Sequence, residues 1–173
     1  MPSLGLHLAI TNEYLKLNNN ENKDEFIKGT IDVDLAADPS KSHYSIITNA
    51  NNVVEILKNK VSLKDFKQHN VVNSSYEKGY FLHLLSDYYF NTQFFEKRYL
   101  NSFTIINFKE LLYKNYSYIN EHLKEKYKIV FPNSIIMYDI TNVDKSDMLP
   151  LNKIDAYISK MANLNLEKEY KKI

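Results

Sequence analysis

The stretch from Tyr80 to Asp87, Tyr-Phe-Leu-His-Leu-Leu-Ser-Asp, constrains this chain more than any other. It is apolar almost throughout and lies in a longer run with helical spacing, which predicts a helix buried in the middle of a bundle. Inside it, His83 and Asp87 stand four residues apart. Four residues is about 1.1 turns of α-helix, so both side chains leave one face, one above the other. A His and an Asp on a face that is otherwise core must be paired, hydrogen-bonded or bound to something. We read the pair as metal ligands, with the remaining ligands supplied from elsewhere in the chain.

Few helix breakers accompany this run. There are 3 Gly and 4 Pro in 173 residues, which favours long helices over a turn-rich β-fold. That length suits one domain with a real core, so residues 1–173 are expected to form a single all-α domain. The chain has no cysteine, which removes disulfides, a thiolate nucleophile and every thiolate-ligated zinc or iron–sulfur site. A metal here must be held by imidazole nitrogens and oxygens, a donor set more often catalytic than structural. The net charge of +1 gives no reason to expect a nucleic acid partner. The opening Met1-Pro2-Ser3-Leu4-Gly5-Leu6-His7-Leu8 has no basic n-region, and no apolar run approaches the ~20 residues of a membrane span. The expectation is a cytoplasmic protein without stable membrane insertion.

Ser3 is a candidate cap for a first helix to about Lys16, with His7 beside Leu4 and Leu8 on its apolar side. Taken alone, His7 is better explained as a core imidazole donating to a carbonyl. Asp24 to Ile31 predicts a short helix in which Gly29 marks close packing or a bend. The acidic segment Asp32, Asp34, Asp38 then leads through Pro39 to Lys41-Ser42-His43-Tyr44, and capping by Asp38 is the preferred reading there. Val53 to Lys58 and Leu63 to Gln68 are short helical pieces, with His69 in a polar loop. Ser74 or Ser75 caps the central helix, expected to reach about Phe95, and Gly79 within it marks the close approach of a backbone or ligand. Thr104 to Tyr127 keeps a helical period and carries His122 near its end. Ser134 to Asp139 is a short apolar piece. Pro150 opens a last helix at its first position, running to about Asn163, and residues 167–172 read as a solvated tail. Tyr44, Tyr80, Tyr88 and Tyr89 are candidates for a pocket wall, although tyrosines at helical spacing are more often core with a wet hydroxyl edge.

The order of the polar residues is more specific than any one pair. His7 stands in Pro-Ser-Leu-Gly-Leu-His-Leu, and Asp34 follows Gly29-Thr30-Ile31-Asp32-Val33. His43 stands between Ser42 and Tyr44, and His83 and Asp87 lie in the central helix. Over roughly the first 95 residues this series resembles the zinc-dependent phospholipase C family. That family is all-helical and hydrolyses phosphate esters at a cluster of zinc ions. The resemblance implies that Asp34, His43, His83 and Asp87 hold one metal. It implies that His7 binds a second, with Asp87 as bridge. Val33 stands where the family usually has Pro. The chain lacks the Trp that secreted members use as a ligand, and Lys126 follows His122 where a carboxylate would complete a later His-x-x-x-Glu pair. The implied complement is therefore one or two zinc ions, with manganese or iron as substitutes, rather than three.

The implied function is a metal-dependent hydrolase acting on a small phosphoester through a metal-bound hydroxide, since zinc lowers the pKa of bound water to about 7. Asp32 is the candidate base for that water, or an outer acceptor for a ligand imidazole. A rival is a non-catalytic helical protein of the same descent whose His/Asp cluster is vestigial or structural. An HD-type phosphohydrolase is a weaker rival, because that family relies on an adjacent His-Asp dipeptide and none occurs here.

Overall fold

Two glycines on different helices set the geometry of the bundle. In a computed structural model, which describes residues 2–131 and 148–173, Gly29 lies in α2 (Lys23–Leu35) and Gly79 in α6 (Ser75–Tyr89). A Cβ on Gly29 would fall 2.0 Å from the Tyr76 carbonyl oxygen, and one on Gly79 would fall 2.0 Å from that of Phe26. The two backbones therefore touch at both positions, and only glycine permits it. The expected close approach at Gly79 is that of a helix backbone. α6 enters this crossing through a full capping box, with Ser74 and Glu77 each satisfying the other's backbone N–H.

α1 (Leu4–Leu17) packs on the same side. Ser3 caps it by accepting from the Leu6 N–H. Its Thr11 hydroxyl bonds that of Thr30 on α2 at 3.0 Å, and Thr30 also reaches the Gly79 carbonyl at 3.3 Å. From Phe81 to Asp87 every residue of α6 is buried, as its composition predicts. Around this core lie α3 (Pro39–Ser42), α4 (Val53–Lys58), α5 (Leu63–His69), α7 (Lys97–Leu100), α8 (Ile105–Tyr127), α9 (Leu151–Ala162) and α10 (Leu166–Lys172). The result is an all-helical, single-domain bundle with no strand among the described residues.

Several boundaries differ from the expectation. α2 continues to Leu35, so Asp32 and Asp34 are helical rather than part of an irregular acidic segment. α6 does not stay α-helical to Phe95. It widens at Phe90 into a π-helical turn, Phe90–Phe94, where Phe90 and Phe94 stack at 4.5 Å and both meet Tyr157 edge-on. Pro150 is the N-cap of α9, one position before its first turn. His69 closes α5 instead of lying in a loop.

The expected solvated tail is α10. Leu166 is buried, Tyr170 meets Phe81 edge-on, and its hydroxyl donates to the Asn70 carbonyl at 2.7 Å. Its charge pattern hid one apolar stripe against the core. The piece from Ser134 to Asp139 lies outside the described residues. Among the described residues no helix is long and apolar enough to cross a membrane.

Candidate metal centre

His83 and Asp87 sit one turn apart on the buried side of α6, facing α2 and α1 as a consequence of the glycine crossing. α2 carries Asp34, and α1 carries His7. His43 comes from the C-cap of α3, a four-residue helix begun by Pro39 and capped by Asp38, whose carboxylate accepts from the Ser40 and Lys41 N–H groups. Asp38 thus has the capping role expected of it, and that role aims His43 inward. Five side chains separated by up to eighty positions meet in one place.

Their spacing is specific. His43 Nε2 lies 3.3 Å from His83 Nε2, 3.1 Å from Asp87 Oδ2 and 3.5 Å from Asp34 Oδ1. His83 Nε2 lies 3.5 Å from Asp87 Oδ2 and 3.6 Å from Asp34 Oδ1. A tetrahedral ion with ligands at about 2.0–2.1 Å separates those ligands by about 3.3 Å. These five separations scatter around that edge length. On the other side of Asp87, Oδ1 lies 3.4 Å from His7 Nε2, and the His7 and His83 rings stack at 3.5 Å. Two sets of donor atoms therefore lie together, His7 with His83 and Asp87, and Asp34 with His43 and His83, each within 4.8 Å internally.

Hydrogen bonding fixes which ring atoms face inward. His83 Nδ1 donates to the Thr30 carbonyl at 2.9 Å, and His43 Nδ1 donates to the Pro39 carbonyl at 2.7 Å. The Ser86 hydroxyl gives its proton to the His83 carbonyl, so it accepts from His7 Nδ1 at 2.9 Å. Each Nδ1 is thus a donor to the outside, which leaves each Nε2 as the lone-pair atom of the neutral ring. The Ser86 carbonyl is itself held by the Tyr157 hydroxyl from α9. Inside the cluster, His7 Nε2 and both Asp87 oxygens are buried without a hydrogen bond, although their neighbours are close enough for one. With all three rings neutral, acceptors converge there with nothing donating to them.

Such a gathering needs positive charge, and without an ion it is met by a proton. Burial works against a charged His43, but the approach of Asp34 and Asp87 outweighs it and pushes the imidazole up to about 10. Burial also pushes the Asp87 carboxyl up, and His43, His7 and His83 together override it and hold it well below the usual carboxylate range. Asp34 follows the same pattern, with His43 the largest of the effects opposing its burial. Burial and the neighbouring His83 push His7 down. The cluster is closed apart from Asp34, whose side chain is 28% exposed against 1% for Asp87.

Asp32 is not brought to this place. Two residues on a helix turn its side chain by about 200° from that of Asp34. Its carboxylate is held on the other side of α2 by Lys28 and by the Tyr76 hydroxyl at 3.0 Å. Tyr80 and Tyr89 use their hydroxyls to tie helices together, on the Ser42 carbonyl and the Glu169 carboxylate, and the Tyr44 hydroxyl accepts from Asn70.

Sequence reasoning missed the outer contacts from Thr30, Pro39 and Ser86. Two of these are backbone carbonyls, which leave no mark in a residue pattern. Asn91, one turn beyond Asp87, is buried with neither amide atom bonded.

Comparison with known proteins returns no match: no family profile fits the chain, and no curated protein or solved structure is significantly similar to it.

Proposed function

We propose that this protein is a metal-dependent hydrolase of phosphoesters, built on the plan of the zinc-dependent phospholipase C family. The observation that carries this reading is the acceptor-only cluster itself. Three imidazoles with their Nδ1 atoms committed elsewhere and two carboxylates converge at the spacing of a tetrahedral ion's ligands. An imidazole-rich set with carboxylates suits zinc, then manganese or iron. Asp34, His43, His83 and Asp87 would hold one ion, and His7 with the second oxygen of Asp87 would serve a neighbouring one. A divalent ion held there supplies Lewis acidity towards a phosphoryl oxygen and lowers the pKa of coordinated water.

The chain's own contributions are three. Thr30, Pro39 and Ser86 hold the imidazoles in the tautomer that leaves Nε2 free. The α2–α6 crossing fixes the distance between Asp34 and His83. The partial exposure of Asp34 opens the cluster on one side to a small phosphoester. Asp32 has no part in this arrangement.

One observation favours a second reading, in which an ion only braces α1, α2 and α6. Four of the five side chains are almost wholly buried. Elemental mass spectrometry of the purified wild type beside His83→Ala, followed by hydrolysis of bis(p-nitrophenyl) phosphate, separates the two. Ion in the wild type, none in the variant, and turnover only with ion present is the expected result. Ion without turnover of any phosphoester favours the bracing role, and no ion even after incubation with zinc removes both.

A further inference from the structure

Of the five cluster residues, His43 has the least support from its own element. His7, Asp34, His83 and Asp87 ride on α1, α2 and α6, helices of 14, 13 and 15 residues. His43 closes α3, a helix of 4 residues, too short to persist without outside contacts. The next residue, Tyr44, has φ 54°, in the left-handed region that a Cβ disfavours. Yet His43 Nε2 faces His83, Asp87 and Asp34 alike, at 3.1–3.5 Å. The spacing of the cluster therefore depends on what holds this short end in place.

Ser42, the residue before it, carries the outside contacts. Its Oγ donates to the Val33 carbonyl at 2.7 Å, and Val33 adjoins Asp34 on α2. Its carbonyl accepts from the Tyr80 hydroxyl at 2.5 Å, and Tyr80 stands three residues before His83 on α6. One residue is thus tied to both helices that carry the partners of His43. Tyr80 is itself seated, with its ring stacked on Phe66 at 5.8 Å. Burial raises the pKa of its phenol, and Tyr44 and Tyr76 add to the effect, so the hydroxyl keeps its proton.

We propose that Tyr80 is a positioning residue for an ion at the cluster: by donating to the Ser42 carbonyl, its hydroxyl holds His43 at ligand distance from α6. The proposal rests on the reading of the cluster as an ion site and is independent of whether that site hydrolyses a phosphoester. Asp34, His83 and Asp87 are placed by the backbone contact of α2 and α6 at Gly29 and Gly79. Without the Tyr80 hydroxyl they keep their places. His43 then loses its link to α6 and keeps only the one to α2. An ion has to order His43 as it binds, and that cost lowers its affinity. With His43 held, four donors surround a small tetrahedral ion; with His43 released, water takes its position in the shell.

The test is Tyr80→Phe, which removes the hydroxyl and keeps the ring on Phe66. Tyr89→Phe is the control, since it takes a hydroxyl from the same helix whose partner, Glu169, lies on α10. Zinc affinity is measured by competition with a chromophoric chelator on wild type and both variants. Cobalt(II) is the second probe, because it absorbs strongly in the visible when tetrahedral and weakly when water expands its shell. The expected result is zinc bound about tenfold more weakly by Tyr80→Phe, the weight of one hydrogen bond, with weaker cobalt bands. Tyr89→Phe should match the wild type in both. Zinc affinity and cobalt bands unchanged in Tyr80→Phe, with the wild type taking up both ions, overturn this proposal alone. An equal loss in Tyr89→Phe also overturns it, because the effect is then a general loosening of α6. A wild type that takes up neither zinc nor cobalt overturns the reading of the cluster, and this proposal with it.

Discussion

Among the described residues, histidine side chains meet aspartate carboxylates in two places, and they are opposites. At the first, on α8 and α9, His122 Nε2 lies 2.8 Å from Asp155, and the same carboxylate accepts from Lys126 and the Tyr127 hydroxyl, each at 2.7 Å. Three donors saturate one partly exposed carboxylate, and nothing is left over. At the second, on α1, α2, α3 and α6, three imidazoles and two carboxylates face one another with their donors turned outward. Both set imidazoles against aspartate carboxylates, at 2.8 Å in the first and 3.1–3.6 Å in the second. What separates an ion pair from a candidate metal centre is the balance of donors and acceptors, which the His Nδ1 partners decide.

That contrast can be broken at either end. The largest effect should come from Asp87→Ala, which removes the residue facing both donor sets. Zinc content should fall to background, and the melting-temperature gain from zinc should vanish with it. In the wild type, zinc at 100 times its dissociation constant should add about 2.7 kcal/mol. Zinc retained by the variant would mean the cluster is not the site.

Gly79→Ala comes next. Its added methyl would have to displace the Phe26 carbonyl, which moves α2 and Asp34 away from His83. Overpacking of this kind costs about 1–3 kcal/mol or more, read as a lower melting temperature and weaker zinc uptake together. A variant as stable as wild type would show the crossing to be looser than the backbone contact implies.

Asp155→Asn should cost about 1 kcal/mol or less and leave zinc uptake untouched, since the pair is partly solvated. Its pH dependence has a definite sign. Burial would raise the Asp155 pKa, but Lys126, His122 and Tyr127 lower it below 3.8. A carboxylate with a depressed folded-state pKa contributes stability above its unfolded value and loses it as the pH falls through the folded one. The gap in melting temperature between wild type and Asp155→Asn should therefore be constant above about pH 5 and close in more acidic solution. A gap that widened on acidification would contradict the assigned partners.

The smallest effect belongs to Asp32→Asn. Its carboxylate sits on the outer face of α2 with Lys28 and Tyr76, so zinc content and turnover should match wild type, and stability should shift by a few tenths of a kcal/mol. A large loss of turnover with zinc still bound would return Asp32 to the site.

Much of this arrangement is legible along the chain. The i, i+4 spacing puts His83 and Asp87 on one helical face because the helix has a fixed period. The scarcity of Gly and Pro makes the fold helical, and Ser3, Asp38, Ser74 and Thr104 mark helix starts because their side chains can accept from free backbone N–H groups. Gly29 and Gly79 announce close approach because a missing Cβ in a helix interior needs a reason.

Other features depend on partners distant in sequence. α10 is a helix against Phe81 although its charges suggest a solvated end, because one Leu and one Tyr find the core. Asp32 and Asp34 look alike in sequence, and only the rotation of α2 against α6 sends one to Lys28 and the other to His43. The tautomers of His7, His43 and His83 were set by a hydroxyl and two carbonyls that no residue pattern encodes. Local periodicity is a property of the chain, and so the sequence determined which residues share a helix face. Which donors meet which acceptors depends on how those faces pack, and that only the tertiary structure decided.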